Sequence, residues 1–251
     1  MTILSKFEFG VLRLSIDHPM KRNAINADMF DALTEALVQA SQDESVRVVL
    51  MQGGEQIFSA GADLEQMRSA PEILDQAMVR FFEVIKNFKK PIVAQVNGPC
   101  VEAFTMLLYC DLVYASDKAL FSIPSVALGR TTRFGAALMM ATSAGIVRAA
   151  EKLMLSEPIS ANEALDMRLI TGIADEDSLD QLVASKVARL AVLPPQAVQA
   201  TKTLLTLSRN QLLNKLTDDE EAIWHRQNLS EEAKEALAAF LEGRKPSFRS
   251  E

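Results

Sequence analysis

An α/β fold, with a core of largely parallel strands and a helical C-terminal tail, is what this 251-residue sequence predicts. Three observations carry that expectation. Short β-branched runs alternate with amphipathic stretches through the first half of the chain. Beyond Gly135 the strand signals nearly vanish and helix signals take over. After Pro194-Pro195 the tail carries more leucine than one helix stripe requires.

Taken in order, Val11 to Ile16 alternates apolar and polar residues as a half-buried strand does. Asn26 is placed to cap a helix whose apolar positions Met29, Phe30, Leu33, Leu37 and Val38 fall on one face. Val46 to Met51 reads as a strand, and Asp63 as the acidic opening of a short helix. Pro71 stands where helices begin, ahead of Ile73 to Phe88. Pro91 to Val96 is the next strand, closed by an Asn97-Gly98 turn. Phe104 to Leu108 predicts a helix, with strands following near Leu112 to Ala115 and Ala119 to Ile123. Ser160-Ala161-Asn162-Glu163 has the pattern of a capping box, and so does Thr217-Asp218-Asp219-Glu220, which predicts a new helix carrying Ile223 and Trp224. Gly243 is placed as a C-terminal cap. The chain thus divides into a core, 1–194, and a helical region, 195–251. Leu204, Leu205, Leu207, Leu212, Leu213 and Leu216 need a surface to cover, either the region's own core or, as favoured here, a neighbouring subunit.

Composition narrows the function classes. Apolar residues make up 49%, ample for a packed core, and the net charge of −7 gives no general attraction to nucleic acid or anionic membrane. Cys100 and Cys110 are the only cysteines, too few for a disulfide framework or zinc site, and His18 and His225 lie far apart. No metal site is expected, and no G-x-G-x-x-G or P-loop pattern occurs. The N-terminus has no signal-peptide pattern and no run of 18 apolar residues exists, so a cytoplasmic protein is expected.

Phe58-Ser59-Ala60-Gly61-Ala62-Asp63-Leu64 is the most informative stretch. Gly61 permits positive φ and its alanine neighbours keep bulk from the main chain, so a ligand can approach the peptide N–H groups. Such a turn suits backbone stabilisation of a developing negative charge; it is equally compatible with an ordinary strand-to-helix turn. It stands in a series: His18-Pro19 to Asn26, Phe58 to Leu64, Lys90 to Pro99, Cys110 to Ser116, and Pro158 to Ala164. In this order and spacing the five segments resemble the enoyl-CoA hydratase/isomerase (crotonase) superfamily along essentially the whole chain. The resemblance implies a crotonase-like spiral of β-β-α units, and a helical C-terminal region that packs homotrimers, often as dimers of trimers. It also implies an acyl-CoA or enoyl-CoA thioester as ligand, with no permanently bound cofactor.

Carried over by position, the resemblance places Arg22 and Ala24 along the coenzyme A channel and Ala60, Asp63 and Leu64 around its adenine and pantetheine. Lys245 is the tail residue that reaches a phosphate. The main-chain N–H of Ala62 becomes one donor of an oxyanion hole. The second comes in the family from a glycine-rich turn; here Pro99-Cys100-Val101-Glu102-Ala103-Phe104-Thr105 contains no glycine and is one residue shorter, and Ala103 is the candidate. Glu102, beside it, would repel an enolate by about 4 kcal/mol at 4 Å and an effective dielectric near 20. It is expected to turn outward as an exposed glutamate; protonation, or an unformed hole, are the alternatives.

The two glutamate positions of family hydratases fall at Thr105 and Ser125, and the isomerase glutamate at Arg133. Hydroxyls do not exchange protons near neutral pH as tuned carboxylates do, which leaves Glu102 as the proton-transfer candidate. Pro124 and Arg133 fall at the acyl pocket. Arg130 and Arg133 either pair with a carboxylate on the substrate or face solvent or a subunit contact. Two functions stay open: a lyase- or isomerase-type enzyme working through an enolate but not as a standard hydratase, and a non-catalytic CoA-thioester-binding or assembly subunit.

Overall fold

The computed structural model describes residues 2–248; Met1 and residues 249–251, the outer ends of the two expected segments, lie outside the described residues. Strands β1 (Thr2–Glu8) and β2 (Val11–Asp17) form an antiparallel hairpin. Helix α1 (Ala27–Gln42) leads to β3 (Val48–Gln52). Helices α2 (Leu64–Ser69) and α3 (Pro71–Asn87) precede β4 (Ile92–Val96), β5 (Cys100–Val101) and α4 (Phe104–Leu107). There follow β6 (Leu112–Ser116), β7 (Leu120–Ser122), α5 (Ala136–Ala144), α6 (Ile146–Met154), β8 (Ile159–Ser160), α7 (Ala161–Asp166) and β9 (Gly172–Ala174). Helices α8 (Glu176–Val192), α9 (Pro195–Asn228) and α10 (Glu231–Glu242) complete the chain.

Two sheets result. The larger runs β1-β2-β3-β4-β6-β9, parallel throughout except for the β1 hairpin; the smaller runs β5-β7-β8. Parallel strands covered on both faces need apolar residues at successive positions, not alternate ones. In β3, Val49 and Met51 join the main core with Phe30, Leu33 and Phe81, while Val48 and Leu50 face Leu179, Val183 and Val187 of α8. This is why Val48 to Met51 reads as an unbroken apolar run.

Helix boundaries follow side-chain chemistry. Asn26 caps α1 by accepting from Met29 N–H, and Asp63 caps α2 by accepting from Glu65 and Gln66 N–H. Ser160 and Glu163 form the expected reciprocal capping box, and Gly243 ends α10 in the left-handed region. The second expected box does not exist. Thr217 lies inside α9, where its hydroxyl donates to the Leu213 carbonyl at 2.9 Å, and the helix runs unbroken for 34 residues. Strand β1 was not foreseen because six of its seven residues are exposed, which removes the alternation a strand normally shows. The short strands β8 and β9 likewise lie beyond the point where strand signals fade. No helix among the described residues is long and apolar enough to cross a membrane.

Candidate active site

The segment after β3 is threaded between two neighbours. On one side Ile25 N–H donates to the Gly61 carbonyl at 2.8 Å, and Asp63 N–H to the Ile25 carbonyl at 2.9 Å. On the other, Phe58 N–H donates to Pro99 and Val101 N–H to Ser59, both at 2.9 Å. Buried Asn23 ties the inner side: its amide donates to the carbonyls of Ile57 and Phe58 at 3.2 Å, and its Oδ1 accepts from His18 N–H at 2.9 Å. Gly61 is required here. Its φ is +94°, and a Cβ at this position would meet Glu102 Cβ at 2.5 Å and the Val101 carbonyl at 2.9 Å. The N–H of Ala62 donates to no acceptor among the described residues, and Ala62 lines a cavity of about 310 Å³.

The second expected donor is not available. Ala103 N–H is turned back onto the carbonyl of Val101. The preceding residue, Glu102, adopts φ +53°. A non-glycine residue in that region costs about 1–2 kcal/mol, and such strain gathers at functional sites.

Glu102 itself corrects an expectation: it does not turn to solvent. Its N–H is held by the Ser122 carbonyl at 2.8 Å, and its Oε1 accepts from the Ser125 hydroxyl at 2.9 Å. Although the residue as a whole is half-buried, Oε2 is shielded and has no hydrogen-bond partner among the described residues. Burial raises the Glu102 pKa above the ordinary carboxylate range, opposed by the Ser125 hydrogen bond and the charge of Arg130. Thr105 and Ser125, expected at the two family glutamate positions, are both buried on the cavity wall. The Ser125 hydroxyl is engaged with Glu102.

The acyl-pocket pair divides. Pro124 lines the cavity beside Ser125. Arg133 also lines it, but as a structural cation: only 6% exposed, it donates from Nε to Glu221 at 2.9 Å, from Nη2 to Glu221 at 2.5 Å and from Nη1 to Asp75. The guanidinium also lies 4.0 Å from the Trp224 ring centroid and 4.6 Å from that of Phe134. It neither faces solvent nor stands free for a substrate carboxylate, because two carboxylates from α3 and α9 already take its donors.

The remaining positions scatter around the rim. Ala60 and Leu64 line the cavity; Arg22 and Ala24 sit on the adjoining loop, where the Arg22 carbonyl accepts from Ala60 N–H at 3.0 Å. Asp63 is committed elsewhere. It caps α2 and pairs with Lys21 at 2.8 Å, so although burial pushes its pKa up, Lys21 and the α2 amides outweigh that and hold it below the ordinary value. Lys245 is exposed on the tail, whereas its neighbours Arg244 and Pro246 reach the cavity wall. Lys21, Asn23, Trp224 and Arg244 were not singled out in advance. Lys21 and Arg244 each stand in a basic pair, Asn23 lies in the first of the five segments, and Trp224 is the single tryptophan, but pairings across tens of residues have no local mark.

Comparison with known proteins agrees with this fold. The family model described as enoyl-CoA hydratase/isomerase matches residues 6–251. The chain is 31% identical over 254 residues to enoyl-CoA delta isomerase 2 of Rattus norvegicus, covering 98% of this chain but only 64% of that longer protein. It is 29% identical over 242 residues to 2,3-dehydroadipyl-CoA hydratase of Escherichia coli K12, covering 95% of each. Among solved structures, enoyl-CoA hydratase/isomerase from Pseudoalteromonas atlantica T6c superimposes with a TM-score of 0.92 at 30% identity, covering 98% of this chain and 99% of that one.

Proposed function

This chain belongs to the enoyl-CoA hydratase/isomerase family, and from that premise we propose that it moves a proton on an enoyl-CoA thioester, with Glu102 as the proton carrier. The observation that supports this reading is the Glu102 carboxyl, shielded on the wall of the same cavity as the unpaired Ala62 amide. A 3-enoyl thioester bound with its carbonyl oxygen on Ala62 N–H loses a proton from C2 to ionised Glu102, and negative charge collects on that oxygen. A single preformed donor of this kind contributes about 3 kcal/mol to such a step. Glu102, now neutral, returns the proton to C4, and the double bond has moved without addition of water.

One shuttling group is enough for that reaction. Water addition is served less well, because the other acidic side chain on the cavity wall, Asp75, is held by Arg133. A raised Glu102 pKa brings the group closer to working pH, where general acid–base transfer is most effective. The nucleotide end of the ligand is assigned to the rim formed by Arg22, Ala24, Ala60 and Leu64, with Lys245 offered to a phosphate. The exposed leucines of α9 support assembly into homotrimers or dimers of trimers.

A second reading, a CoA-thioester-binding or assembly subunit without turnover, is favoured by one observation: Ala103 N–H is spent on Val101, leaving a single preformed donor. A panel of saturated, 2-enoyl and 3-enoyl CoA thioesters followed by chromatography and mass spectrometry separates the two. Double-bond migration that falls at least about 100-fold in Glu102→Gln, with thioester binding retained, is the expected result. Unchanged thioesters that co-elute with the protein would establish the binding subunit instead.

A further inference from the structure

We propose that Arg130 is a specificity residue that takes a carboxylate carried on the acyl chain, so that dicarboxylic acyl-CoA thioesters are preferred ligands; this rests on the cavity being an acyl-thioester site. Four cationic side chains are buried among the described residues: Lys90, Arg130, Arg133 and Lys202. Three have oxygen partners. Lys90 donates to the carbonyls of Ala40 and Asp43 at 2.6 and 2.7 Å, Lys202 to the Lys90 carbonyl and the Asp111 carboxylate at 2.8 Å, and Arg133 to Asp75 and Glu221. Arg130 has none.

Arg130 is 8% exposed and lines the cavity. Its Nη1 faces only the sulfur of Met67, another cavity residue, and its Nε is shielded with no partner among the described residues. Glu102 does not close the gap: its Oε1 accepts from Ser125, and the two side chains form no ion pair. A buried guanidinium with no carboxylate in hydrogen-bond contact is unfavourable, and burial accordingly pulls its pKa down, opposed only in part by the charge of Glu102. A neutral acyl chain would leave that state unrelieved. A carboxylate supplies both the missing charge and two acceptors in the geometry that the guanidinium fork matches. Because Arg133 is already saturated, the cavity offers one such site, not two.

The test is calorimetric titration of the full chain with saturated thioesters matched in length, which have no double bond to migrate: butanoyl- against succinyl-CoA and hexanoyl- against adipoyl-CoA. In at least one pair the wild type is expected to bind the dicarboxylic member about tenfold or more tightly. Arg130→Gln is expected to bring that pair to within about twofold while leaving the neutral member's affinity unchanged, which also shows that the variant is folded. Arg130→Lys should keep part of the preference. Equal affinities in both wild-type pairs, or a preference that survives Arg130→Gln, overturns the proposal while leaving the acyl-thioester reading intact. Failure of all four thioesters to bind overturns that reading and this proposal together.

Discussion

Glu102 shows how much one side chain can be asked to do. It holds left-handed backbone, closes against Gly61, and presents a shielded carboxyl to the cavity. Its protonation leaves a mark on stability. Unfolded, it titrates near 4.5; folded, burial raises that value. Between the two the folded state holds the extra proton, so stability falls as pH rises through the window that opens at about 4.5, and stays lower above it. Glu102→Gln removes this contribution. Melting temperatures measured across that window should show the variant gaining on the wild type as pH rises, and a constant difference would rule out a shifted Glu102. Arg133 carries the opposite lesson, because its chemistry is structural. Arg133→Leu would leave Asp75 and Glu221 facing each other without their cation, and denaturant titration should show a loss of about 3–5 kcal/mol. The Gly61 turn was legible in sequence because its requirement is local. The roles of Arg133 and Arg130 were not, since what separates them is two carboxylates contributed by α3 and α9 from far away in the chain.

At the scale of elements, legibility followed the same rule. Strands β2, β3, β4 and β6 and helices α1 and α3 were readable from periodicity and caps, because both faces of the large sheet are packed and each strand is apolar where it must be. The failure at Thr217 is instructive. Thr-Asp-Asp-Glu satisfies the capping pattern, yet its glutamate is used in a tertiary contact: Glu220 accepts from Gly135 N–H at 3.0 Å, and the next residue, Glu221, holds Arg133. Those contacts fasten the C-terminal half of α9 to the cavity loop, so the helix continues where local sequence offers a new start. Two substitutions separate the situations. Ser160→Ala removes a real cap and should cost about 1 kcal/mol. Thr217→Ala, on an exposed position inside a helix, should be neutral or stabilise by up to about 0.7 kcal/mol. Chemical denaturation reads both, and a loss at Thr217 comparable to that at Ser160 would mean that the helix is interrupted after all.

For the molecule as a whole, the unresolved demand is the apolar surface of α9. Of the six leucines that exceed a single stripe, Leu213 is 4% exposed against the core, whereas Leu204 and Leu205 are 74% and 78% exposed and Leu207, Leu212 and Leu216 lie between 42% and 50%. One helix therefore serves two surfaces. Leu213 and Lys202 fasten it to its own subunit, the latter through Asp111 at 2.8 Å, while the other leucines are left facing outward. Several exposed leucines on one element point to an association surface, and closed symmetric assembly is the ordinary way to bury it. Sedimentation should give about three or six times the 27.6 kDa chain mass. A charge at the most exposed leucine, Leu205→Glu, should shift the distribution toward the monomer without unfolding it, because that side chain makes little contact within its own subunit. Monomeric wild-type protein at micromolar concentration would refute self-association through α9, and its leucines would then require a different partner.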